Sequence, residues 1–282
     1  MKKLKKFPDQ KQSQPGKAHK MVPKPELIRK NYRGSGKLEN KVAIVTGGDS
    51  GIGASAVLHF AHEGADIALV YLEETKDANA IKEQVEEMGR TCILIKTDLK
   101  DEKNCVSSVE TSIKEYGKLN IVVNNAAMQF PQSSLLDINK KQLHKTFETN
   151  IYPYFYLTKE ALKHLNSDDV IINTSSVTAY RGSEHLLDYA STKGAIVSFT
   201  RSLSAQLAKK GIRVNGVAPG PIWTPLIPAS FDDVNDFGQD TPMGRAGQPS
   251  EVGPAYVFLA SADGSYITGQ FIHINGGEII GG

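Results

Sequence analysis

The sequence has little of what would place it in a membrane or an oxidising compartment. Cysteine occurs only twice in 282 residues, at Cys92 and Cys105. There is no CxxC pair and no nearby His pair, so neither a disulfide framework nor a zinc site is indicated. No apolar run approaches the roughly 18 residues needed to span a bilayer. The basic start MKKLKK runs into FPDQKQSQPG and has none of the hydrophobic stretch of a secretion signal. These absences predict a cytoplasmic protein, neither secreted nor membrane-spanning. Net charge is small, +2 overall, but unevenly spread. Residues 1–41 hold 13 Lys and Arg against Asp9, Glu26 and Glu39, a net +10, and the remainder carries −8. A basic arm, residues 1–40, thus precedes an acidic body. The arm has only two aromatics and no base-stacking pattern, so a solvated or subunit-wrapping extension is favoured over a nucleic-acid binder. Pro8, Pro15, Pro23 and Pro25 argue against a packed helix in it.

What is present from residue 41 onward is an alternation of short apolar runs and helical patterns. Val42–Thr46 reads as a strand and Gly51–Glu63 as a helix. Strands at Ile67–Tyr71, Cys92–Lys96 and Asn120–Val123 alternate with helices at Thr75–Met88 and Asp101–Tyr116. A long helix over about Lys140–Leu165, strand Val170–Asn173, helix Tyr189–Lys210, strand Arg213–Val217, helix Ser250–Ser261 and strand Gln270–Ile274 follow. Alternation at this period predicts a doubly wound, parallel, seven-stranded α/β sheet of the Rossmann type. No Pro/Gly-rich linker interrupts residues 42–223, so 41–282 is read as one domain.

Between the first strand and the first helix stands Thr46-Gly47-Gly48-Asp49-Ser50-Gly51-Ile52-Gly53. Glycines there let the backbone turn sharply and approach a pyrophosphate at the helix N-terminus, so a dinucleotide is the natural ligand. Further along come Asp98, Asn124-Asn125-Ala126-Ala127, Asn150, Ser176, Tyr189-Ala-Ser-Thr-Lys193 and Pro219-Gly220-Pro-Ile222-Trp-Thr224. A YxxxK pair is weak alone, but this one opens a helix directly after an apolar strand. It lies one helical turn apart on one face, with Ser176 at the strand's C-terminal end, the edge where parallel sheets bind ligands.

In these motifs, their order and their spacing, the chain from about Lys41 to Gly277 resembles the short-chain dehydrogenase/reductase family, in the single-domain branch with a TGxxxGxG loop. With the arm it looks like bacterial members carrying a basic N-terminal extension, some named general stress proteins. The resemblance implies hydride transfer between a nicotinamide dinucleotide and a secondary alcohol or carbonyl. Tyr189 is then the acid/base, Lys193 favours its ionised form and holds the nicotinamide ribose, Ser176 binds the substrate oxygen, and Asn150 holds a proton-relaying water. An unperturbed Tyr, with a pKa of about 10, needs such help near neutrality. The resemblance also places Gly47, Asp49, Ser50, Gly51, Ile52, Gly53, Tyr71, Leu72, Asp98, Leu99, Asn125, Ala126, Pro219, Gly220, Ile222 and Thr224 at the dinucleotide. It further implies a homotetramer built through the Tyr189 helix and the last strand, and we expect the arm to cross onto a neighbouring subunit. Ala127 stands where the family usually has Gly, and Asn275 where it usually has Asp.

Asn150 has an alternative reading as a polar residue at a helix break, and Asn124 and Asn125 as turn residues. Residues 224–245, rich in Pro, Asp and Gly, read as a mobile substrate lid, with Val177, Tyr180, His185, Trp223 and Pro225 as candidate pocket residues. Tyr71 stands where NAD users typically have Asp. Nevertheless Asp49, Glu73 and Glu74 would repel a 2′-phosphate unless Lys76 compensates, which favours NAD over NADP. Two other functions compete. A sugar-nucleotide epimerase would need a larger C-terminal part than the roughly 60 residues after Gly220 provide. A nonenzymatic dinucleotide sensor would have no use for Ser176, Tyr189 and Lys193.

Overall fold

A computed structural model describes residues 6–280; the first five residues of the basic start lie outside them. The strands are β1 (Val42–Thr46), β2 (Asp66–Tyr71), β3 (Cys92–Lys96), β4 (Ile121–Asn124), β5 (Val170–Thr174), β6 (Arg213–Pro219) and β7 (Phe271–Ile274). All pair in parallel, in the order β3-β2-β1-β4-β5-β6-β7. The helices are α1 (Gly51–His62), α2 (Thr75–Glu87), α3 (Glu102–Tyr116), α4 (Lys140–Asn150), α5 (Tyr152–Ala161), α6 (Thr178–Arg181), α7 (Leu187–Leu207) and α8 (Pro249–Ala260).

β1 shows why its residues form a central strand. Every position is buried, and successive side chains go to opposite faces. Ala43 and Val45 pack with α1, α2 and α8, while Val42 and Ile44 pack with α3, α5 and α7. The two cysteines are free and buried on opposite faces, Cys92 in the first layer and Cys105 in the second. Burial pushes both thiols up to about 12. Helix ends are set by side chains: Asp101 caps α3 by accepting from the Lys103 amide at 3.0 Å, and Gly117, at φ +70°, closes it.

The long helix expected over 140–165 is two helices. The chain breaks at Ile151, and Pro153 sits in the first turn of α5, where its missing N–H is tolerated. The four-residue α6 was not foreseen. α7 starts two residues before Tyr189, and Ala208–Lys210 after it form a 3₁₀ turn ended by Gly211 at φ +74°.

The described residues of the arm run along the chain's own body, most of them partly or fully exposed. Beyond one 3₁₀ turn at Ala18–Lys20, the described residues of the arm form no helix, as its prolines lead one to expect. Phe7, Met21 and Leu38 are buried. Phe7 stacks on Trp223 with ring centroids 3.7 Å apart, and the Trp223 Nε1–H donates to the Pro23 carbonyl at 2.8 Å. Glu63 after α1 accepts from the Tyr32 hydroxyl at 2.6 Å and from the Ser35 and Lys37 amides. The Ser250 hydroxyl donates to Glu26 at 2.6 Å. The expected lid is built around this docking, since Trp223, Ile227, Val234 and Ala246 form one apolar cluster with Phe7 and Met21. Among the described residues no helix is long and apolar enough to cross a membrane.

Candidate active site

The C-terminal ends of β1, β2, β4, β5 and β6 open into one cleft of about 520 Å³, at the edge where parallel sheets place ligands. On one side lies the turn from β1 into α1. Gly47 and Gly51 there have φ of +63° and +54°. The Ser50 side chain caps none of the first-turn amides of α1, so these N–H groups remain available to an anion. Gly53 does not line the cleft: a Cβ on it would lie 2.0 Å from the Gly47 carbonyl oxygen, so this glycine lets the loop fold onto the helix. Thr46 and Asn125 hold the loop. The Thr46 hydroxyl accepts from the Asn125 amide at 2.8 Å, and the Asn125 side chain donates to the Thr46 and Gly47 carbonyls. Asn124 is instead structural, donating to Thr158 and Asn173 in the core.

On the other side stand Ser176, just past β5, and Tyr189 and Lys193 on α7. The Lys193 Nζ lies 5.4 Å from the Tyr189 ring centroid and donates to the Thr174 carbonyl at 2.9 Å. Tyr189 is pushed up to about 12 by burial, partly offset by a hydrogen bond with Ser176. Lys193 is pushed down to about 7, also by burial. Burial disfavours the charged form of each group, so it moves the phenol up and the amine down and brings the two closer together. Proton transfer between them leaves their summed charge unchanged.

Asn150 stands at the break between α4 and α5 and outside the cleft lining. Its Oδ1 accepts from the Met128 amide at 2.8 Å, and its Nδ2 donates to the Met128 carbonyl and the Thr192 hydroxyl. The side chain joins the loop after β4 to α7. Asp188, which the sequence reading passed over, performs a related task. Its carboxylate accepts from Thr146 at 2.7 Å and from Gln142, tying α4 to the start of α7.

Every other residue singled out for the dinucleotide lines the cleft: Gly47, Asp49, Ser50, Gly51, Ile52, Tyr71, Leu72, Asp98, Leu99, Asn125, Ala126, Pro219, Gly220, Ile222 and Thr224. The cleft also holds Val177, His185 and Pro225 but neither Tyr180 nor Trp223. Tyr180 packs its ring on Phe271 and His273 of β7, and Trp223 is fully buried under the arm. Asp49 is pushed up to about 7, first by burial, with Asp77 and Glu74 adding to it. Glu74 faces Lys17 of the arm, Nζ to Oε1 3.5 Å. Among the cleft residues without a signal in the sequence are Gln14, Pro15 and Gly16, brought in from the arm. An elongated groove with open helix amides at its middle and a buried Tyr/Lys pair at one end fits a dinucleotide.

Comparison with known proteins agrees. A family model described as Enoyl-(Acyl carrier protein) reductase matches residues 47–278. General stress protein 39 of Bacillus subtilis (strain 168) is 52% identical over 98% of this chain and 98% of its own length. Glucose and ribitol dehydrogenase of Daucus carota is 51% identical, again over 98% of each. A short chain dehydrogenase from Burkholderia cenocepacia J2315, solved in complex with NADP, superposes with a TM-score of 0.81 at 30% identity over 86% of this chain and 98% of that one. The chain belongs to the short-chain dehydrogenase/reductase family of oxidoreductases.

Proposed function

We propose that this chain transfers a hydride between a nicotinamide dinucleotide and a secondary alcohol or carbonyl compound, with Tyr189 as the acid/base. One observation carries the reading: Tyr189, Lys193 and Ser176 meet in the same cleft as the open N-terminus of α1. When bound, the dinucleotide supplies or accepts the hydride. The chain's part is the proton. In reduction the Tyr189 hydroxyl gives its proton to the substrate oxygen while the Ser176 hydroxyl donates a hydrogen bond to that oxygen. Lys193, near 7, stands ready to return a proton to Tyr189. The relatives named as dehydrogenases support the reaction class.

The charge argument for NAD is weaker than the sequence suggests. Glu74 is paired with Lys17, and burial raises the Asp49 carboxyl to about 7, so both repel a 2′-phosphate less than their formal charges suggest. NAD remains our reading, and the NADP-bound Burkholderia neighbour speaks against it. Fluorescence titration with NADH and NADPH decides between them. The reaction test is a panel of sugar alcohols, aldehydes and one enoyl thioester. Tyr189→Phe should lower turnover by at least about a hundredfold and leave dinucleotide affinity within about threefold. Undiminished turnover removes Tyr189 from its role, and activity confined to the enoyl thioester replaces carbonyl with C=C reduction.

We also propose a cytoplasmic homotetramer. Tyr152 and Phe155 of α5 are exposed, and Phe155 packs on Phe199 of α7, an aromatic face suited to another copy. Light scattering at the mass of a single chain would refute the assembly, and recovery in a membrane or secreted fraction would refute the location.

A further inference from the structure

The arm does more than cover apolar surface. Between its two buried anchors, residues 14–19 cross the cleft, and contacts pin both ends of this crossing. At one end the Gln14 side-chain amide donates to the Gln129 carbonyl, beyond β4, and to the Ser230 hydroxyl in the lid segment. At the middle Gly16 lies on Pro225 so closely that a Cβ would come within 2.2 Å of the Pro225 carbonyl oxygen. Pro225 itself flanks Gly51 of the phosphate loop, its Cδ 3.7 Å from where a Cβ on Gly51 would lie. At the other end Lys17 reaches Glu74, and Asp77 on α2 accepts from the Ala18 amide at 2.8 Å, the His19 amide at 3.1 Å and pairs with the His19 ring at 2.9 Å. Gln14, Pro15 and Gly16 face the cleft. The Gln14 Oε1 is buried and finds no hydrogen-bond partner among the described residues.

The geometry points to Gln14–His19 as a ligand-binding wall of the dinucleotide site, a strap laid over the pyrophosphate span with the Gln14 carbonyl oxygen placed to accept from a ribose hydroxyl of the bound dinucleotide. The inference rests on the proposed function, and its ligand class is the same nicotinamide dinucleotide. The path of the strap supports it. It runs from the lid segment, past the turn that opens α1, to the end of β2 and α2, which is the course an extended dinucleotide follows in such a fold. A ligand held beneath it is enclosed on the side the sheet leaves open, and the strap in turn gains a partner for Gln14. Dinucleotide binding and arm docking therefore stabilise one another.

Two variants loosen the strap, one outside the cleft and one within the crossing itself. Asp77→Ala removes the far pin, and Asp77 does not line the cleft. Gly16→Val drives the crossing off Pro225. Affinity for NADH and NADPH is read from nicotinamide fluorescence, with melting temperature as the control for folding. Trypsin cleavage at Lys17 and Lys20 is followed in the wild type with and without the tighter-binding dinucleotide. If loosening leaves the strap docked about a tenth of the time, apparent affinity falls about tenfold, which is the expected result for both variants. Saturating dinucleotide should slow arm cleavage by a similar factor. Affinity within twofold of wild type in either variant, or cleavage indifferent to dinucleotide, overturns the strap and leaves the function standing. A folded wild type that binds neither NADH nor NADPH overturns the function and the strap with it.

Discussion

Phe7→Ala gives the most direct reading of how the arm is held. Phe7 is 7% exposed and lies flat on Trp223, with 7° between the ring planes. Truncating a buried Phe of this kind removes about 3 kcal/mol. The loss falls on arm docking rather than on the sheet, because the Phe7 cluster joins arm residues only to residues 223–246 and to no strand. At about 1.4 kcal/mol per factor of ten, the population with this part of the arm released should rise by about two orders of magnitude. Trp223 is the chain's single tryptophan, so its emission should move to longer wavelength as the indole meets water. Trypsin should cut the arm faster by about the same two orders of magnitude, since cleavage follows the open population when reclosing is fast. The global melting temperature should fall by less than the 2–4 °C per kcal/mol typical of a domain of about this size, because the sheet is untouched. Unchanged emission together with a cleavage rate within twofold of wild type would refute the reasoning.

Two further predictions concern buried charge. Lys193→Met should abolish turnover yet raise the melting temperature, because burial holds the Lys193 pKa at about 7 and the Thr174 carbonyl keeps a second donor in Tyr154. A lysine with a depressed folded pKa is penalised fully below that value and progressively less as pH rises toward its unfolded pKa, so the gain should be largest at pH 6 and shrink by pH 9; no pH dependence would contradict the burial argument. Asp49→Asn should stabilise the protein at pH 8, since a carboxyl raised to about 7 is penalised above that pH; the advantage should fade as pH drops from 7 toward 4, and a melting series that runs the other way would show that Asp49 is stabilised as an anion.

The sheet was legible because strands buried on both faces read as short apolar runs, as in Val42–Val45 and Val170–Ile172, separated by helix-length polar segments. The cleft was legible because its residues sit at strand ends in the chain order of a family motif. Side-chain direction was not. Trp223 lies between Ile222 and Thr224, both in the cleft, and points away from it into the arm's cluster. The break at Ile151 was hidden because apolar spacing continues through it, and only Pro153 hinted at two helices. The arm's docking had no local signature. It rests on single side chains meeting groups far along the chain, as Tyr32 meets Glu63, His19 meets Asp77 and Ser250 meets Glu26, and no periodicity encodes such meetings.

The placement of the two cysteines, one under each helical layer, makes the chain its own two-channel clock. A thiol-labelling reagent reacts with the thiolate, and both thiols are buried and held near 12, so neither reacts until its layer opens. Single-cysteine variants would time the lifting of α1, α2 and α8 through Cys92 and of α3, α5 and α7 through Cys105. Equal rates mean that the sheet sheds both layers in one event, and unequal rates rank them.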